Sequence, residues 1–147
     1  MFADMRLRRL EPDVVSYNAV ISSCEKADRW HEALGMFSDM WLFDVEPSVI
    51  TYNADISACE KGARWHEALD LFADMRLRRL EPDVVSYNAV ISSCEKADRW
   101  HEALGMFSDM WLFDVEPSVI TYNADISACE KGARWHEALD LFADMRL

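Results

Sequence analysis

Residues 14–48 read VVSYNAVISSCEKADRWHEALGMFSDMWLFDVEPS, and two apolar stripes run through them at helical spacing. Tyr17, Ile21 and Cys24 stand at i, i+4 and i+7 with Val20 filling i+3, which predicts a helix A from about Ser16 to Lys26. Trp30, Ala33, Leu34, Phe37 and Met40 form the second stripe and predict a helix B from about Arg29 to Leu42. So short a gap between them folds the two back on each other as an antiparallel pair.

The stretch recurs along the chain. Residues 72–147 repeat residues 2–77 without a change, and a weaker period of 35 lies inside the 70-residue block. Each unit ends in a proline junction: Glu11-Pro12-Asp13, Glu46-Pro47-Ser48, Glu81-Pro82-Asp83 and Glu116-Pro117-Ser118. Proline biases its predecessor away from helix, while Asp or Ser caps the helix that follows. The repeats are therefore 14–48, 49–83, 84–118 and a truncated 119–147, with 1–13 as the end of a preceding repeat. Hairpins this small cannot bury their apolar faces alone, so they stack, and the fold class is an all-α superhelix with helix A on one wall and helix B on the other. Periodicity leaves its hand open. It does predict that one row of helix A side chains recurs at roughly 10 Å, the distance between packed helices.

The break inside the hairpin varies. Lys61-Gly62-Ala63-Arg64 offers a glycine for a left-handed helix end, whereas Ala27-Asp28 has none and makes Asp28 the expected N-cap of helix B.

Composition narrows the functional classes. At 51% apolar residues the units can pack. A net charge of -12 is unfavourable for a polyanion ligand, but Glu32, Asp39, Asp44 and Glu46 fall on helix B and its loop, away from helix A. Four cysteines (Cys24, Cys59, Cys94, Cys129), one per repeat in an apolar stripe, fit reduced core thiols in an intracellular compartment. No run of 18 apolar residues is present, so no membrane span is expected. The basic start resembles a targeting peptide, yet its counterpart at Leu71–Asp83 makes it part of the repeat. His31, His66, His101 and His136 lack the second histidine of a zinc motif, and there is no Ser-His-Asp set, phosphate loop or Cys pair. Neither catalysis, a cofactor nor a metal is expected.

Attention falls on what recurs at the surface. Asn18, Asn53, Asn88 and Asn123 each follow the core tyrosine, and an amide offers a donor and an acceptor to a base edge. Ser22 and Glu25 lie near the Asn18 direction, with Lys26 about 80° aside at 100° per residue. Lys26, Lys61, Lys96 and Lys131 suit either a phosphate contact or a solvated charge at a helix C-terminus. Asp55 and Asp125 replace Val20 and Val90 in the apolar stripe, which calls for a rim position or a neighbouring Arg. Trp30, Trp65, Trp100 and Trp135 read as packing between repeats. Trp41 and Trp111, with Phe43 and Phe113, alternate with Arg76, Arg78 and Arg79, which suits a cation–π contact between units or a docking spot for a protein.

Val-Val-Ser-Tyr-Asn-Ala-Val-Ile-Ser, Glu-Ala-Leu-x-x-Phe-x-x-Met and Leu-Glu-Pro-Asp at a 35-residue period closely resemble the pentatricopeptide repeat family. The Ser-x-Cys-Glu-Lys-Gly and Arg-Trp-His variants are similar to copies in expanded arrays of protist algae. The resemblance implies a right-handed solenoid that binds single-stranded RNA, one nucleotide per repeat, in processing, stability or editing of transcripts in a mitochondrion or plastid. It implies base-reading pairs Asn18 with Ser48, Asn53 with Asp83 and Asn88 with Ser118, with Asn123 lacking its partner. Asn with Ser implies cytosine and Asn with Asp uracil, a C-U-C readout followed by a pyrimidine. It further implies base clamps at Val15, Ile50, Val85 and Ile120 and phosphate contacts at Lys26, Lys61, Lys96 and Lys131. Against these stands a protein-interaction scaffold using the helix B face, and unprotected repeat ends invite self-association.

Overall fold

The structure is a computed structural model that describes residues 10–146; of the segment 1–13 assigned to a preceding repeat, residues 1–9 lie outside the described residues. Among them are eight α-helices: α1 Val14–Lys26, α2 Trp30–Leu42, α3 Val49–Lys61, α4 Trp65–Leu77, α5 Val84–Lys96, α6 Trp100–Leu112, α7 Val119–Lys131 and α8 Trp135–Met145. The odd-numbered are A helices and the even-numbered are B helices.

Every A helix starts in the same way. Asp13, Ser48, Asp83 and Ser118 hold extended backbone at the N-cap and accept from the amide of the third helical residue, whose own hydroxyl oxygen accepts from the cap N–H. The reciprocal box is closed by Ser16, Thr51, Ser86 and Thr121, and such a cap stabilises a helix by about 1 kcal/mol.

The A-to-B turn departs from expectation at both kinds of repeat. Gly62 sits at φ -85, and the left-handed residue is Ala63 at φ 57. Asp28 likewise holds φ 59, so it is no N-cap; Arg29 occupies the cap of α2 without a side-chain bond. One motif serves all four turns: the residue after the left-handed one donates back to the cysteine carbonyl, as in Arg29 N to Cys24 O at 2.8 Å and Arg64 N to Cys59 O at 2.8 Å. Ending the helix on Cys O fixes the turn, whichever residue takes the positive φ. Gly62 instead lets the Trp30 ring of the preceding repeat lie close: a Cβ there would stand 2.3 Å from that ring and push it aside, and Gly132 meets Trp100 in the same way at 2.6 Å.

Each B helix packs on the A helix of its own repeat and, in the first three repeats, on the next A helix; A helices also touch one another in a row, while the B-helix backbones stand further apart and are bridged by long side chains such as Arg76 to Asp109. Close A–A contact with splayed B helices bends the stack, so the A row forms the inner wall of a right-handed solenoid. Tyr17, Tyr52, Tyr87, Ile21, Ile56, Ile91, Met40, Met75 and Met110 are fully buried between the layers, as the apolar stripes require. Each core tyrosine sends its hydroxyl to an aspartate on helix B: Tyr17 to Asp39 at 2.6 Å, Tyr52 to Asp74, and Tyr87 to Asp109 at 2.7 Å. Burial and the neighbouring carboxylate push the Tyr52 and Tyr87 phenols well above their ordinary range, so they stay donors.

Asp55 and Asp125 are neither at a rim nor reached by an arginine. Both are fully buried and neither carboxyl oxygen finds a hydrogen-bond partner. Burial alone raises each to about 8, so the protein avoids an unpaired charge by keeping these groups protonated near neutrality. The cysteines are free thiols, and burial lifts Cys59 and Cys94 to about 12.

The tryptophan row does join the repeats. Arg64, Arg99 and Arg134 lie over Trp30, Trp65 and Trp100 of the preceding repeat at 4.6, 4.3 and 5.2 Å, while the adjacent histidines stack on Trp30, Trp65 and Trp100 from within the helix. The alternating aromatic and basic residues are also cation–π partners between units: Arg78 covers Trp41 and Arg76 covers Phe113, each at 4.0 Å.

Candidate nucleic-acid interface

The inner wall is built from the first turn of each A helix. There the capping box and the asparagine of the preceding repeat meet. Asn53 Nδ2 donates to Asp83 Oδ1 at 3.1 Å, and Asn88 Nδ2 donates to Ser118 Oγ at 3.2 Å. Two of the three complete pairs named in the sequence are thus in direct contact. Asn18 and Ser48 meet through Thr51, whose hydroxyl donates to Asn18 Oδ1 at 2.5 Å and lies 3.2 Å from Ser48 Oγ. Asn123 is exposed.

The cap chemistry explains why the second member of each pair can face outward. Asp83 Oδ1 receives Ser86 N at 3.0 Å as well as Asn53, so one oxygen anchors the side chain and Oδ2 is left as an acceptor. Beside each amide stands a branched apolar residue: Val15, Ile50, Val85 and Ile120 are 69%, 68%, 53% and 66% exposed. Folding does not bury them, although Ile21, Ile56 and Ile91, six residues further along the same helices, are fully covered. A polar reader next to an exposed apolar wedge, repeated once per unit, suits a planar ring that is both hydrogen-bonded and sandwiched.

At the other end of the A helices the lysines are engaged. Lys61 lies 3.3 Å from Glu25 Oε1 and donates to the Glu25 carbonyl at 3.3 Å; Lys96 pairs with Glu60; Lys131 lies 3.3 Å from Glu95 Oε1 and 3.6 Å from Asp98. Ser57 and Ser127 add a hydroxyl to the same glutamates. The glutamates that share this face therefore form a ladder with the lysine of the next repeat, and in the free chain these cations are partly neutralised. Lys26 occupies the equivalent place at the end of α1 and is exposed.

Sequence reasoning missed Thr51, Ser86 and Thr121, which donate to the asparagine amides of the preceding repeat. Their signal was available as a hydroxyl three residues after every cap. Among the described residues no group of three or more His, Cys, Asp or Glu is placed to hold a metal ion, and no helix is long and apolar enough to cross a membrane.

A stack of 35-residue helical hairpins with this recurring inner face defines a class of helical repeat protein. Family models place it: the PPR repeat family matches residues 12–61, 47–88 and 82–131, and the PPR repeat matches 120–147, so the chain belongs to the pentatricopeptide repeat family. A search of curated proteins finds no match. Among solved structures it is similar to the pentatricopeptide repeat protein PPR10 in complex with an 18-nt psaJ RNA element (TM-score 0.81, 26% identity, 98% of this chain and 21% of that one). It is also similar to PPR10 from maize (TM-score 0.73, 30% identity, 99% and 21%). The PPR domain of Arabidopsis thaliana protein-only RNase P 1 in complex with tRNA shares the fold (TM-score 0.88, 14% identity, 99% and 77%). The chain spans about a fifth of the length of the PPR10 structures.

Proposed function

We propose that this chain binds single-stranded RNA without catalysing a reaction on it, taking one pyrimidine per repeat in the order C-U-C followed by a further pyrimidine. The observation that carries this reading is the contact of Asn53 with Asp83 and of Asn88 with Ser118, which brings two polar side chains from neighbouring repeats together as edge reading of one base requires. The chemistry supports the assignment of letters. Asp83 keeps an outward acceptor, which suits the N3–H of uracil; Ser118 has a hydroxyl proton to offer, which suits the N3 acceptor of cytosine. Val15, Ile50, Val85 and Ile120 supply the apolar faces between successive bases, Lys26 meets a phosphate from the end of α1, and Lys61, Lys96 and Lys131 meet phosphates on exchanging their glutamate partners for the strand. The similarity to RNA-bound members of the family points the same way. The role served is the processing, stabilisation or editing of a transcript in a mitochondrion or plastid, as the resemblance implies.

Binding measured against 5′-CUCU and a purine oligonucleotide over a salt series tests it. The reading predicts preference for the pyrimidine strand and affinity that falls steeply with salt; equal affinity for both strands overturns it.

A protein scaffold remains the second reading on one observation. Leu42, Leu77 and Leu112 recur at the end of each complete B helix with 79%, 82% and 80% of their surface exposed. Partner binding through them survives loss of all four asparagines.

A further inference from the structure

We infer that the hydroxyl at the third position of each A helix sets the orientation of the base-reading amide in the preceding repeat, and that this positioning decides base choice where the cap is serine. The inference rests on the RNA-reading proposal above. Thr51, Ser86 and Thr121 are fully buried, and each donates to the Oδ1 of an asparagine 33 residues earlier: Asn18, Asn53 and Asn88. The contact occurs at all three complete junctions.

An asparagine amide is close to symmetric in shape but opposite in hydrogen bonding at its two ends, so its neighbours determine which end faces where. At Asn53 the neighbour is Asp83, a carboxylate that only accepts. It draws Nδ2 toward itself whether or not Ser86 contributes. At Asn88 the neighbour is Ser118, whose hydroxyl donates or accepts and is indifferent to the orientation. There the Thr121 hydroxyl is decisive. Its single proton goes to Asn88 Oδ1, which turns Nδ2 toward Ser118. Ser118 Oγ then accepts from Asn88 Nδ2 at 3.2 Å and from the Thr121 amide at 3.4 Å, and its own proton, which rests on Thr121 Oγ1 at 3.2 Å in the free chain, is the one it can turn to an acceptor on the base. With the amide reversed, Ser118 would spend that proton on Oδ1 and offer the base a lone pair instead. Cytosine would lose its donor and uracil would gain an acceptor.

Thr121 is therefore a positioning residue whose effect is strongest at serine-capped repeats, and Ser86 is its counterpart at an aspartate-capped one. Binding of the full chain to 5′-CUCU, to the strand with uracil third and to the strand with cytosine second separates the two. Thr121→Val is expected to lower the preference for cytosine at the third base by about tenfold, and Thr121→Ser to restore it. Ser86→Ala is expected to change the preference for uracil at the second base by less than about twofold, because Asp83 alone orients Asn53. Wild-type discrimination in Thr121→Val overturns the inference, and so does an equal loss in Thr121→Val and Ser86→Ala, which would mark a capping role only. If Thr121→Val binds too weakly to compare, side-chain amide NMR of the free protein decides: the Asn88 Nδ2 protons are expected to shift and broaden in Thr121→Val and to keep their wild-type signals in Thr121→Ser. Unchanged Asn88 signals in Thr121→Val overturn it. A wild-type chain that ignores base identity defeats the parent reading, while the amide spectrum still answers for the orientation.

Discussion

Asn53 Nδ2 donates to Asp83 Oδ1 at 3.1 Å across a repeat boundary, although 30 residues separate them in the chain. The contact joins the first turn of one helix and the cap of the next into one polar surface, the reading site of the proposed function. Exchanging the cap should exchange the letter. Asp83→Ser is expected to move the second base preference from uracil to cytosine, and Ser48→Asp to move the first from cytosine to uracil. Competition between oligonucleotides differing at that single base measures both, with a change of roughly tenfold each way. Serine and aspartate are comparable N-caps, so stability should stay within about 0.5 kcal/mol.

The Glu25–Lys61, Glu60–Lys96 and Glu95–Lys131 ladder holds the lysines against carboxylates. Removing those charges should release the cations to the strand. Glu60→Gln is expected to raise RNA affinity several-fold at low salt and to steepen the dependence of log K on log salt by about 0.7, the contribution of one further phosphate contact on a single strand. These pairs lie at the surface, so melting temperature is expected to change little. An unchanged salt slope would remove Lys96 from the phosphate contacts.

Asp55 and Asp125 make stability depend on pH in the opposite sense to a salt-bridged carboxylate. Burial raises the folded-state value to about 8, against about 4 for an unfolded aspartate. Between these the folded chain holds protons that the unfolded chain has released. The stability these two groups contribute is thus complete below about pH 4 and declines as pH rises toward 8, by at most about 1.4 kcal/mol per pH unit for each group. Denaturant unfolding from pH 4 to 9 should show this decline, with Asp55→Asn plus Asp125→Asn flattening it.

Gly62 leaves room for the Trp30 ring. Gly62→Ala gains helix propensity but drives a Cβ into the indole, and the third repeat, with Ala97 at the equivalent place, shows that the wall tolerates alanine there. The expected cost is about 1 kcal/mol, with a shift in tryptophan emission as Trp30 is displaced. Calorimetry and fluorescence on the same variant check both.

Arg76 ties the second repeat to the third. It pairs with Asp109 at 2.5 Å, donates to the Tyr87 hydroxyl and lies over Phe113 at 4.0 Å. Arg76→Leu keeps the aliphatic packing and leaves Asp109 with only the tyrosine. A loss of about 2 kcal/mol is expected, with Arg76→Lys recovering part of it because one ammonium cannot make both polar contacts and cover the ring.

The sequence by itself determined the repeat, the two helices of each hairpin, the buried tyrosine and methionine rows and the recurrence of one asparagine per unit. All of these follow from local spacing: an apolar side chain at i, i+4 and i+7 has one face to bury, and a 35-residue period leaves stacking as the means of burying it. The cation–π pairing of Trp41 and Phe113 with arginines was legible for the same reason, as complementary residues alternate in equivalent places. Tertiary structure decided the rest, because each remaining feature depends on a distance between repeats. Only the stacked helices show that Gly62 serves a neighbour's indole instead of its own backbone, that Asp55 is enclosed without a partner, that lysines meet glutamates one repeat back, and that the Thr51, Ser86 and Thr121 hydroxyls hold the asparagines. Spacing along one chain fixes which face of a helix is buried; it takes the approach of a second helix to fix which atom meets which.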